Sequence, residues 1–132
     1  MPTELQLINY EKFASLVFIY SGFLSLFSSF EAEKYELEKQ TEASDSNEST
    51  MMADKLALDS TFTEIFSFSI FLIVAIFRTN ALEQKIASGE SKISILPNII
   101  LVSSFIIGTM SGIIRVPAIQ QRLVSGQTPV IL

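Results

Sequence analysis

Apolar and polar positions along this chain fall in blocks. No charged residue occurs between Phe13 and Phe30, between Ile65 and Phe77, or between Ile93 and Ile114. Crossing a hydrocarbon core of roughly 30 Å takes about 17 to 25 helical residues at 1.5 Å each. The first and third runs meet that length outright. The middle run meets it only if the span begins near Ser60, which puts Glu64 one turn inside, close to the head groups, where a carboxylate snorkels or stays protonated. The alternative is three core helices of a soluble protein, and so short a chain has too few other residues to cover them. The pattern therefore predicts an all-α integral membrane protein with three transmembrane helices, at about 13–30, 61–77 and 94–114.

The boundaries between blocks add detail. Thr3 and Gln6 have the spacing of a capping box, so a helix is expected to start near Glu4. No breaker separates it from the first apolar run, and "EAEKYELEKQTEA" after Phe30 continues with strong helix formers to about Ala43. "SDSNEST" (44–50) reads as a loop, and a second helix is expected to begin near Met52. Helices one and two then form a long antiparallel hairpin whose acidic part, 31–60, extends beyond the bilayer. Segment 78–92 forms the next connection. Its first part keeps helical character, and Ser88-Gly89 supplies a stop. Pro97 falls in the first turn of the third span, where it costs little. Arg115 and Pro117 are expected to close that span, leaving 115–132 as an amphipathic tail that ends near Gly126 and Pro129.

Composition sharpens this picture in three places. Charged residues make up 17% of the chain, below the roughly 25% typical of soluble domains, and the net charge of −5 is concentrated in the acidic segment. With neither Cys nor His, disulfides, thiolate chemistry and imidazole ligation of metal or haem are excluded. The few basic residues are scattered and give no nucleic-acid footprint. The segment before Phe13 is not basic and no small-x-small site follows the run, so the run reads as an anchor rather than a cleaved signal. Basic residues divide almost evenly between the two sides of the membrane. Arg78 and Lys92, which bracket a short loop, tilt the reading toward a cytoplasmic N-terminus. Asn47-Glu48-Ser49 matches a glycosylation acceptor tripeptide.

Small residues and one acid are the candidate functional positions. Ser104, Gly108 and Gly112 recur every four residues in span three. Ser21, Ser25 and Ser29, with Gly22 beside them, do so in span one. Small residues permit the close backbone approach on which helix association in lipid depends. The two rows are expected either to pack on each other or to dock another subunit. Glu64 is the one ionisable residue expected at membrane depth, hence a candidate for proton or cation handling or an interfacial helix-start acid. Asn98 is placed to hydrogen-bond between helices. The phenylalanines of helices one and two read as core or lipid contacts. No catalytic constellation, phosphate loop or metal-ligand spacing is present, so neither an enzyme nor a cofactor is expected. The expected partners are the lipid bilayer and other transmembrane helices. The functional expectation is an accessory, assembly or regulatory subunit of a larger membrane complex. The alternative is a homo-oligomeric channel, holin-like pore or small transporter that uses Glu64.

Overall fold

The computed structural model describes residues 1–40 and 46–125, with 46–50 described by backbone alone. Three helices account for nearly all of them: α1 (Glu4–Gln40), α2 (Ser46–Ala87) and α3 (Leu96–Ser125). Each is long and apolar enough to cross a membrane. Among the described residues there is no strand.

The helix ends follow local chemistry. The Thr3 amide donates to Gln6 Oε1 at 2.8 Å and the Gln6 amide donates to Thr3 Oγ1 at 3.2 Å, the reciprocal capping box that the spacing predicts. At the other end of α2, Gly89 adopts φ of 81°. The Glu90 amide reaches back to the Lys85 carbonyl and the Gly89 amide to that of Ile86. This is a Schellman stop, and its left-handed residue suits glycine. At the start of α3 the Ser94 hydroxyl accepts the Leu96 amide, and Pro97 stands in the first turn.

Two boundaries differ from expectation. α2 starts at Ser46, not near Met52. The small polar residues of the presumed loop begin the helix instead, as serine and asparagine do at N-termini. α3 runs through Pro117 to Ser125, so Pro117 does not close it. The proline removes one donor, that for the Ile113 carbonyl, and the helix formers on either side continue the coil. The expected end of helix one near Ala43, the first residues of the presumed loop, and the tail beyond Ser125 lie outside the described residues.

α2 is the central helix. It packs against α1 on one side and α3 on the other, while α1 and α3 nowhere bring their Cα atoms within 8 Å of each other among the described residues. The arrangement is an open layer rather than a closed bundle. The α1 face against α2 is a seven-residue row, Leu7, Ala14, Ser21 and Ser28, all buried. The opposing row on α2 is Ala53, Ser60, Ser67 and Val74, also buried. Ser28 Oγ donates to the Ala53 carbonyl at 2.7 Å and Ser67 Oγ to the Ala14 carbonyl at 2.7 Å. Between them, Ser21 Oγ donates to the Ser60 carbonyl at 3.1 Å and Ser60 Oγ to the Ser21 carbonyl at 2.9 Å. As the number rises on α1 it falls on α2, so the two helices run antiparallel. A side chain as short as serine reaches a facing carbonyl only where the backbones approach closely, which the alanines and serines of this row permit.

This register staggers the apolar runs. Ser28, near the end of the first run, is level with Ala53, well before the second run begins. The offset is about ten residues, roughly 15 Å at 1.5 Å per residue. The runs of α2 and α3 match one another: Gly108 lies on Phe68, Gly112 on Ile65, and Phe105 stacks on Phe71 at 5.4 Å.

Candidate functional site

The polar groups of the layer gather at two levels of α2, one near each end of its apolar run. At one level, Arg78 binds α1. Its Nε donates to Glu4 Oε1 at 3.0 Å, its Nη2 lies 2.7 Å from the same oxygen, and its Nη1 pairs with Glu11. Burial acts against the guanidinium charge, but the two carboxylates outweigh it and hold Arg78 more firmly protonated than usual. A cavity of about 220 Å³ adjoins the cluster, lined by Glu11 and Arg78, by Asn98 from α3 and by apolar residues including Phe71 and Phe105.

At the other level, Glu64 binds α3. Arg115 Nη2 donates to Glu64 Oε2 at 2.7 Å, and the side chains keep 32% and 21% of their surface exposed. This is a single-point contact, whereas a guanidinium and a carboxylate can form two parallel bonds. Among the described residues, Arg115 Nε is shut off from solvent without an acceptor. A second cavity of about 220 Å³ opens beside the pair, lined by Phe18, Ser21, Gly22 and Ser25 of α1, Ser60 and Glu64 of α2, and Arg115 of α3. A series of rings joins the two cavity linings: Phe18 to Phe68 at 5.5 Å, Phe68 to Phe105 at 6.4 Å, then Phe71.

The expected small-residue rows separate in the structure. Gly108 and Gly112 face α2, where a Cβ would meet Phe68 at 3.3 Å and Ile65 at 2.5 Å respectively. Ser104 is exposed. On α1, Ser21 is bonded into the α2 interface, Ser29 Oγ turns back to the Ser25 carbonyl, and Gly22 has no atom within 4 Å of where its Cβ would be. The rows of α1 and α3 therefore do not pack on each other; each meets α2 or open space. Other hydroxyls, those of Thr61, Ser69, Thr79, Ser103 and Thr109, bond the carbonyl four residues back on their own helix. That removes an unpaired polar group without help from a neighbour.

Two features escaped the sequence reading. The first is the partner of Glu64. The signal was available: in an antiparallel pair, an acid opening span two and an arginine closing span three fall at one level. The second lies farther along α2, where Asp54 is almost fully buried and, among the described residues, neither its Oδ2 nor the buried Nη1 of Arg122 has a hydrogen-bond partner. Burial holds the Asp54 carboxyl above its ordinary value of 3.8, and the Arg122 charge opposes this without overcoming it. Among the described residues no group of three or more acidic side chains converges as a metal site would require. Comparison with protein families, with curated proteins and with solved structures gives no match.

Proposed function

We propose that this chain is a multi-pass membrane protein that works by holding other membrane proteins, as an accessory or assembly subunit without catalysis of its own. In this reading α2 and α3 set the depth of the bilayer. The far parts of α1 and α2 then form a hairpin that stands clear of it, since helices of 37 and 42 residues exceed what a core of about 30 Å requires.

The stagger of the apolar runs carries the reading. Phe23, Phe27 and Phe30 are each about half exposed, at 53%, 50% and 56%. Carrying on the register of the Ser21–Ser60 and Ser28–Ala53 bonds, they lie level with about Leu58, Asp54 and Met51 of α2, beyond the apolar runs of α2 and α3. Bilayer hydrocarbon that fits α2 and α3 leaves these rings uncovered, and a contiguous apolar patch of this kind marks a protein contact. The alternative pore reading needs a free acid in span two. Glu64 is engaged by Arg115, which weighs against it.

The test is extraction from native membranes in mild detergent, followed by native-gel sizing and mass spectrometry. A larger assembly is expected, and it should be lost in Phe23→Ala/Phe27→Ala. A monodisperse chain that carries no other protein would sink the proposal. A homo-oligomer that conducts ions in liposomes would replace it with the pore.

A further inference from the structure

We propose that the cavity beside Glu64 and Arg115 seats a zwitterionic ammonium–phosphate head group, the chemistry of phosphatidylethanolamine. The inference rests on the membrane reading above but on none of its protein partners.

Charge selects this class of ligand. The cavity wall holds one guanidinium and one carboxylate. An anion alone is opposed by Glu64 and a cation alone by Arg115. A ligand that carries both charges satisfies both walls. The existing pair leaves room for one: Arg115 spends a single N–H on Glu64 Oε2, and among the described residues Glu64 Oε1 receives no donor. A guanidinium has five N–H groups, and Arg115 Nε is shut off from solvent, so the Nη N–H groups not used on Glu64 can bind phosphate oxygens while the ammonium meets the free carboxylate oxygen.

Shape and depth agree with charge. Ser25 also lines the cavity, and its hydroxyl gives the head group a further polar contact. Gly22 stands at the same wall with open space where a side chain would be. Phe18 forms the apolar wall and continues into Phe68 and Phe105, a path for an acyl chain toward the middle of the layer. Glu64 and Arg115 also close the apolar runs of α2 and α3 on this side, the level of lipid head groups.

The test uses the full chain in nanodiscs of equal parts phosphatidylethanolamine, phosphatidylcholine and phosphatidylglycerol. Native mass spectrometry then reads the lipid retained after release into mild detergent. Phosphatidylethanolamine should be retained about tenfold over each of the other two lipids, the ratio given by one charge-assisted hydrogen bond. Glu64→Gln should move the enrichment to phosphatidylglycerol, because Arg115 is then an uncompensated cation. Gly22→Leu should abolish retention with helicity unchanged, since its Cβ displaces nothing. Displacement by free phosphoethanolamine would assign the same chemistry to a soluble ligand, and resistance to it would assign a lipid. Retained lipid that mirrors the bilayer in the wild type, or an unchanged preference in Glu64→Gln, would overturn the proposal. A chain that fails to float with vesicles of any composition would instead remove the membrane reading beneath it.

Discussion

Replacing the three span glycines with alanine, one at a time, tests the packing of the layer most directly. At Gly112 the new Cβ would lie 2.5 Å from Ile65 Cγ1 and 3.2 Å from its Cδ1. Cγ1 is a branch atom at the root of a β-branched side chain, held near one rotamer in a helix, so it cannot swing aside. α3 must instead lift from α2 by on the order of 1 Å. Overpacking of this severity costs up to about 3 kcal/mol, and the helix preference of alanine over glycine returns at most about 1. The net expectation is a loss of about 2 kcal/mol. At Gly108 the nearest atoms are the Phe68 ring at 3.3 Å, and the ring can tilt by a few tenths of an ångström. The two terms then nearly cancel, within about 0.5 kcal/mol. At Gly22 nothing opposes the methyl group, so the variant should be neutral or stabilised by up to about 1 kcal/mol. With no tryptophan in the chain, unfolding is best followed by circular dichroism during titration with sodium dodecyl sulfate. Ile65→Ala combined with Gly112→Ala should recover most of the loss. Three variants of equal stability, or a pair of changes that simply add, would refute this packing of α3 on α2.

Other perturbations probe the remaining contacts. Ser60→Ala removes one donor of the reciprocal pair with Ser21 and should cost about 0.6 kcal/mol, at most about 1.7, in the same titration. Arg115→Gln leaves Glu64 without its ion partner. Because the pair is partly exposed, the loss should fall below the 3–5 kcal/mol of a fully buried pair, and adding Glu64→Gln should restore most of it. At Asp54 the folded-state pKa is raised by burial, so the folded chain holds this proton more tightly than the unfolded one. Stability is then greatest at low pH and falls as pH rises above about 3.8 until the folded-state carboxyl has ionised. Asp54→Asn should flatten that dependence and melt higher than the wild type at neutral pH.

Three apolar helices, the Thr3–Gln6 cap and the Gly89 stop were legible because each depends on residues close in sequence. The course of α3 past Pro117 was not, because one missing donor weighs less than the helix formers on both sides of it. The row of α1 that meets α2 was missed for a geometric reason. A four-residue step advances about 40° beyond a full turn, so Ser21, Ser25 and Ser29 drift around the helix. A seven-residue step lags by only about 20° and follows a neighbour over its whole length. The row that meets α2 is therefore Leu7, Ala14, Ser21 and Ser28. The ion pairs were beyond local reading altogether. Arg78 with Glu4, and Arg115 with Glu64, join residues far apart in sequence, and only the antiparallel register brings them to one level.

That register also makes the outer face of α1 a sharper question than its composition suggests. Leu16, Phe23 and Phe30 repeat the seven-residue step of the inner row two positions later, about 200° around the helix, so large side chains point outward where small ones point inward. Leu16 lies level with the apolar runs of α2 and α3, and lipid can cover it there. Phe30 lies beyond them, about level with Met51 of α2 by the Ser28–Ala53 bond, and lipid that fits α2 and α3 does not reach it. The chain has no cysteine, so Leu16→Cys and Phe30→Cys each place a single thiol at one of these levels. A water-soluble maleimide should leave Leu16→Cys unmodified in native membranes and in nanodiscs alike. It should label Phe30→Cys quickly in nanodiscs holding the purified chain and slowly in native membranes, where the proposed partner would cover the ring face. Equal labelling of Phe30→Cys in both settings would mean that nothing binds there. Protection in both would mean that the bilayer follows α1 rather than α2 and α3, and the argument from the stagger to a protein partner would fail.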